Sequence, residues 1–356
     1  MRHILLPSVA ALLLSPIAVA NGEGNHEWPE LDRELEALNE SLAVETSGPR
    51  LWGYVRTNYA FSDEERNAAG ASFSGVSLDN VRLAVDGKVG NYSYRLSGDM
   101  ASGTLNLLDA YTDIPIGEGI TGTLGQFKAP FLSSGLVEAR DLLFITRTRN
   151  GVFSSIRDAG AKFRGDHGRF HWAVAGQNGA DGTADKLLLT GRASAEVVGE
   201  EMPAWEGAYS SGDEARVNLA VAYQSDDSAS DAGALAVEAT AIVGGIYVHG
   251  EVVDYGDDWT LDPNFPLEQR GGTTPWTLVT SWMLPSEKIE LALRYEDYDD
   301  VSMPLNYDRS LFTAGANYYV EGHDLKWQLN YAYGRNGGVD DLADKNIIAL
   351  GLTLGF

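Results

Sequence analysis

The chain has 356 residues, 51 acidic against 26 basic side chains, a formal net charge of −25, 40 glycines and no cysteine. The acidic balance excludes a general nucleic-acid binder, which needs a basic patch or stripe. Missing cysteines exclude disulfides, thiolate metal sites, thiol catalysis and a lipoprotein anchor, and the glycine- and tyrosine-rich, hydropathy-neutral remainder suits an all-β chain.

Taken in chain order, Arg2 and His3 precede an apolar run over 4–19 that ends in Ala18-Val19-Ala20, small residues where a signal peptidase cuts. This predicts a signal peptide over 1–20, since the run is short for a spanning helix and is interrupted by Pro7 and Pro16. Residues 21–50 are polar, acidic and helix-prone, with Leu31, Leu35, Leu38 and Leu42 at the a/d spacing of a coiled-coil seam. They predict a short periplasmic helical or coiled-coil segment; a frayed amphipathic tail is the alternative, because isolated helices of this length are barely stable.

From Leu51 the period switches to two, and sixteen segments show it: 51–60, 78–88, 92–100, 104–114, 120–128, 158–165, 169–177, 186–198, 215–224, 234–243, 245–255, 274–284, 288–297, 310–320, 324–334 and 345–356. Each is near the roughly ten residues that a tilted transmembrane strand needs, and an even number lets an antiparallel barrel close with both termini on one side. The expected fold is therefore all-β, a transmembrane antiparallel barrel of about sixteen strands over 51–356. Short links such as 89–91, 166–168, 285–287 and 321–323 alternate with long ones at 61–75, 130–157, 225–233, 256–272, 298–309 and 335–344. Two links break the alternation, the short 101–103 on the outer side and the long 199–214 on the inner side.

Facing can be read from single strands. In the last segment Ile348, Leu350, Leu352, Leu354 and Phe356 form one face against small residues on the other. In 324–334 the apolar face is Leu325, Trp327, Leu329, Tyr331 and Tyr333, opposed by Lys326, Gln328 and Asn330, so that arginine should be tolerated in place of Gln328 but not of Leu329. Aromatic residues recur near strand ends (Trp52, Tyr54, Trp276, Trp282, Tyr318, Tyr319, Tyr333), as interfacial girdles require.

The stretch LDNVRLAVDGKVGNYSYRLSGDM, then DAYTDIPI, then GQFKAPF (Gly125 to Phe131), an Arg-bearing segment and RDAGAKFRG resembles the phosphate-selective (O/P type) family of bacterial outer-membrane porins, most strongly over about 78–166. The terminal Phe356 is similar to the closing residue of most outer-membrane barrels, which the barrel-assembly machinery reads. The resemblance implies a sixteen-stranded homotrimeric channel in outer-membrane lipid and lipopolysaccharide, whose loop after GQFKAPF folds into the lumen and narrows it.

Other motifs fall away. Gly117, Gly119 and Gly122 spell G-x-G-x-x-G, but strand-like sequence follows where a dinucleotide site needs a helix, so they read as a turn. The sequence holds no P-loop, no H-E-x-x-H and no G-x-S-x-G elbow. His167 and His171 sit at a turn and a strand start and do not make a metal pair; no cofactor or metal is expected. Acidic runs at Asp226-Asp227, Asp257-Asp258, Asp297 to Asp300 and Asp340-Asp341 read as solvated, repelling loop tips, with shared divalent cations as the sharper alternative.

The informative charge is local. Segment 130–157 carries Arg140, Arg147, Arg149 and Arg157, and its neighbours supply Lys128, Lys162 and Arg164. If the loop folds inward these cations line the narrowest passage, where they select small anionic or neutral solutes; pairing with facing carboxylates is the competing reading. Arg82, Arg95 and Asp99 are expected on the lumen wall by alternation. The expected function is a passive outer-membrane diffusion channel without catalysis. An exported soluble β-rich binding protein or hydrolase, and a plugged barrel serving as anchor or adhesin, are the alternatives.

Overall fold

A computed structural model describes residues 48–62, 73–179, 186–227, 233–256, 272–298, 310–335 and 345–356. The expected signal peptide and nearly all of the helical segment lie outside the described residues, as do Asp257-Asp258, Asp299-Asp300 and Asp340-Asp341. Sixteen strands are described: β1 Arg50–Ser62, β2 Phe73–Val89, β3 Tyr92–Asp99, β4 Asn106–Gly117, β5 Ile120–Lys128, β6 Arg157–His167, β7 Phe170–Gln177 and β8 Leu188–Val198 form the first half. β9 Arg216–Asp226, β10 Gly233–Val243, β11 Ile246–Tyr255, β12 Trp276–Met283, β13 Ile289–Asp297, β14 Ser310–Glu321, β15 Leu325–Arg335 and β16 Lys345–Gly355 form the second. Every strand pairs antiparallel with its sequence neighbours, and β1 pairs with β16, so the sheet closes into a barrel with no free edge.

The period-two pattern explains which side of the sheet each residue takes. Ile348, Leu350, Leu354, Trp327, Leu329 and Tyr331 point outward and are 40–50% exposed, whereas Lys326, Gln328 and Thr353 on the other parity are buried inside. A soluble barrel would reverse this, because water would then wet the outer face. An apolar exterior with polar side chains within is the arrangement of a transmembrane β-barrel.

Two details depart from simple alternation. β2 begins at Phe73 rather than Leu78, because its register shifts between Arg56 and Thr57 of β1 and leaves Asp79 without an opposite residue. That bulge exchanges the faces of the residues before it, so a strict period of two loses the first part of the strand. At the seam, Gly53 N donates to Phe356 O and Phe356 N to Gly53 O, both at 3.0 Å, so the last residue completes the closure. The G-x-G-x-x-G glycines behave as a turn: Gly117 ends β4, Gly119 adopts φ +71° and β5 starts at Ile120.

Candidate functional site

The segment between β5 and β6 leaves the wall and crosses the interior. Its start is prepared by Gly125, whose φ of +125° and close approach to the Ala110 carbonyl leave no room for a Cβ. Two short helices follow, α1 Ser133–Leu136 and α2 Arg149–Ser154, with a 3-10 turn at Ala139–Asp141 between them. Thr148 caps α2 by accepting from Gly151 N at 3.0 Å.

The loop is fixed first by apolar packing. Phe131 and Leu132 are fully buried against Ala222, Ala234 and Ala236, and against Val253 and Tyr255. The alanines on the inner face of β9 and β10 create the space that these two side chains fill. Further along, Leu143 and Phe144 pack on Ile242, Tyr247, Val279, Met283 and Tyr319.

Polar wall residues then satisfy the loop backbone, which would otherwise be buried without partners. Ile145 N donates to Asn330 Oδ1 at 2.8 Å, Asn317 Nδ2 to Leu143 O at 2.9 Å, and Lys326 Nζ to Leu142 O at 2.8 Å and Arg140 O at 2.9 Å. Arg294 donates to Thr146 O at 2.7 Å, and Arg149 N donates to Glu296 Oε1 at 2.7 Å. On the opposite side of the seam Arg82 meets Glu138 at 2.5 Å and Asp99 at 3.5 Å.

The residues singled out from the sequence divide into two groups. Lys128 donates to the carbonyls of Gly135, Leu136 and Val137 at 2.8–3.1 Å, and Arg147 donates to those of Ser134 and Val137, so both brace the end of α1. Arg140 pairs with Asp324 at 2.9 Å and lies over Trp52, while Arg149 lies over Phe153 and Tyr298. The others stand on the wall: Arg157 meets Asp109 at 2.8 Å, Arg164 meets Asp113 at 2.9 Å, Arg95 meets Asp86 at 2.7 Å, and Lys162 sits 4.7 Å from the centre of the Phe127 ring.

A second inward element was visible only as an irregular link. Residues 199–215, between β8 and β9 on the side of the short turns, fold into the barrel and join the loop. Glu206 N donates to Asp141 O at 3.1 Å, Leu143 N donates to the Glu206 carboxylate at 3.0 Å, and Ala208 N donates to Glu290 Oε1 at 2.6 Å. Tyr209 stacks on Tyr319 with ring centres 4.3 Å apart, and Gly207, at φ +100°, passes too close to Glu290 for any side chain.

Among the described residues, the loop and this segment together cover the inner faces of β9 to β16 and of β1, and the loop reaches β8, where Arg192 donates to Phe131 O. The inner face of β3 to β6 keeps part-exposed charged side chains: Arg164 is 48% exposed and Arg95 31%. Loop electrostatics differ at its two nearest carboxylates. Burial raises the Glu138 carboxyl, but Arg82, Lys128 and Arg157 outweigh it and hold the group down to about 2. At Asp141 burial prevails over Arg140 and Lys326, and the group is pushed up to about 6.

A closed sixteen-strand barrel, apolar outside and crossed by a loop that hydrogen-bonds to its inner wall, is the fold of a bacterial porin. The solved structures it resembles agree. An anion-selective porin from Comamonas acidovorans aligns over 87% of this chain and 99% of its own at TM-score 0.58 and 14% identity. OprB of Pseudomonas putida aligns over 90% and 97% at TM-score 0.59 and 9% identity, and the outer membrane channel DcaP of Acinetobacter baumannii over 86% and 97% at TM-score 0.56 and 14% identity. No protein-family model and no curated protein matches the sequence, so the likeness lies in the fold.

Proposed function

We propose that the protein is a passive outer-membrane channel for small hydrophilic solutes, narrowed by the loop over 129–156 and leaning toward anions, in the manner of the phosphate-selective porin type. The observation that carries the reading is the inward loop bound to the inner wall of a closed, outwardly apolar barrel. A soluble binding protein has no use for an apolar outer belt, and a sheet-bound plug alone would not leave a charged, part-exposed sector along β3 to β6.

The anion leaning rests on how one ion pair of that sector is presented. In Arg164–Asp113 the guanidinium is 48% exposed and the carboxylate 12%, so the pair shows its positive end to the lumen. Lys162 adds a cation held over an aromatic ring. Charges this close to a passing solute act with little screening, whereas those on outer loops fade beyond about 8–10 Å in ordinary salt. Lys162, Arg164 and Arg95 would then touch the solute, Arg157 would stay bound to Asp109 with 11% of its side chain exposed, and Lys128, Arg140, Arg147 and Arg149 would keep the loop in place.

The remaining assignments follow from the same reading: residues 1–20 direct export, the segment to residue 50 lies in the periplasm with the short turns, and three copies assemble. Deleting Phe356 removes both backbone bonds to Gly53 and should sharply lower the outer-membrane level of the protein. The direct test is the reversal potential of purified protein in a planar bilayer under a salt gradient. Anions should be the more permeant ions, and replacing Arg95, Lys162 and Arg164 together by Gln should move the potential toward cations. A cation-preferring channel whose potential ignores that replacement would defeat the anion reading.

A further inference from the structure

We propose that Glu238, His249 and Glu251 form a binding site for one divalent transition-metal ion of the zinc class, set in the barrel wall behind α1. One ligand atom from each residue lies within 4.8 Å of the others, and the three side chains are among the most buried of the wall, at 3–4% exposure. The site does not depend on the channel reading above.

The strand register creates the site. Glu238 on β10 stands directly opposite Glu251 on β11, both on the inner face. Like charges in that position repel each other, more so without water, and something must offset them. Arg192 meets the Glu238 carboxylate and offsets one of the two. The second charge faces the imidazole of His249, two residues along the same strand.

That imidazole is oriented like a metal ligand. His249 Nδ1 lies 2.8 Å from Thr240 Oγ1, its opposite residue on β10. With Nδ1–H donating to that hydroxyl, the Nε2 lone pair faces Glu251 Oε2 at 3.4 Å and is free for a metal; in the other tautomer the hydroxyl donates to Nδ1 and Nε2–H to Glu251. A cation there would take the imidazole lone pair and both carboxylates at once, and fixing the ring through its far nitrogen is how metal-bound histidines are held. The carboxylates are fixed too. Ser134 Oγ donates to Glu251 Oε2 at 2.6 Å, Thr148 Oγ1 to Glu251 Oε1 at 3.1 Å, and Ser133 N and Oγ to Glu238 Oε1 at 2.8 and 2.5 Å.

Beside the cluster lies a cavity of about 90 Å³ bordered by Glu238, His249, Glu206, Asn218 and Thr240, enough for the waters that would complete the coordination shell. One imidazole with two carboxylates suits zinc and its neighbours, whereas calcium and magnesium prefer oxygen alone. Because Ser133, Ser134 and Thr148 belong to the inward loop, the ion would tie loop and wall together through the carboxylates they share. The reading that competes has no metal: His249, neutral or protonated, donates Nε2–H to Glu251.

The test uses the full-length protein, stripped with a chelator and titrated with zinc by calorimetry in millimolar calcium and magnesium, which fill all-oxygen sites on the acidic exterior. One zinc per chain should bind and survive desalting. His249→Asn, which keeps a hydrogen-bonding group toward Thr240, and Glu251→Gln, which keeps one acceptor and offers its amide NH2 to the other hydroxyl, should each weaken zinc at least about a hundredfold while the barrel keeps its folded, heat-modifiable gel mobility. A folded wild-type barrel that retains no zinc, or variants that retain as much as wild type, overturns the proposal and leaves a histidine–carboxylate hydrogen bond without metal.

Discussion

Two arginine–carboxylate pairs, each 2.9 Å apart, show how differently one chemistry is used on the two sides of this barrel. Arg294–Glu296 lies under the loop with 2% and 1% of its side chains exposed, and both partners also bond the loop backbone. Arg164–Asp113 stands on the opposite wall with 48% and 12% exposed. The first pair is part of an interior, where an unmatched charge is costly; the second is a wet surface that happens to face inward. The lumen of a barrel is thus not one environment, and identical alternation along the strands does not reveal which side is covered.

The sharpest way to break this comparison is to delete the same cation on each side. Arg294→Ala strands Glu296 in a buried site and should cost about 3–5 kcal/mol, whereas Arg164→Ala should cost about 0–1 kcal/mol. Unfolding in urea from lipid vesicles checks both, and equal costs would mean that the loop does not shield β13. Next in size is the lipid face, where Leu329→Arg should lose about 2–4 kcal/mol. Alternation alone expects Gln328→Arg to be harmless. The structure corrects this: Gln328 Nε2 donates to Leu143 O at 3.1 Å and to Asn317 Oδ1 at 3.0 Å, so the substitution should also destabilise, and Arg164→Gln is the tolerated control.

Smaller effects come from pH, with opposite signs at two loop carboxylates. Glu138 titrates at about 2, below its ordinary 4.5, so the stability it contributes is present above 4.5 and is lost as pH falls toward 2. Asp141 titrates at about 6, above its ordinary 3.8, so the folded protein holds that proton more tightly and stability declines as pH rises from 3.8 through 6. Unfolding midpoints measured against pH should flatten below 4.5 in Glu138→Gln and between 3.8 and 6 in Asp141→Asn. An unchanged profile in both would remove Glu138 from its contact with Arg82.

Much of this architecture was legible in the sequence because a strand crossing between lipid and a polar lumen must alternate residue by residue. The strand count, the outward faces of β15 and β16 and the inward loop after GQFKAPF all follow from that constraint or from resemblance. The bulge at Asp79 was not legible, since one unpaired residue resets the parity. Nor were the partners of Lys128 and Arg147, because carbonyl groups carry no sequence signature. The same holds for Glu238 and Glu251, which meet only through the register of β10 and β11, and for residues 199–215, whose length was visible but whose inward path depends on Tyr209 finding Tyr319.

The central claim is that solutes cross along β3 to β6 while the lumen beside β8 to β16 is filled by the loop and the 199–215 segment. The chain has no cysteine, so single-cysteine variants can be read without background. The decisive measurement is the current through single channels carrying Arg164→Cys or Gln328→Cys while a charged thiosulfonate reagent is added. The current should fall when position 164 is modified and stay constant at position 328. A fall at 328 with none at 164 would contradict the claimed route, and wild-type protein that inserts but carries no current would contradict the channel itself.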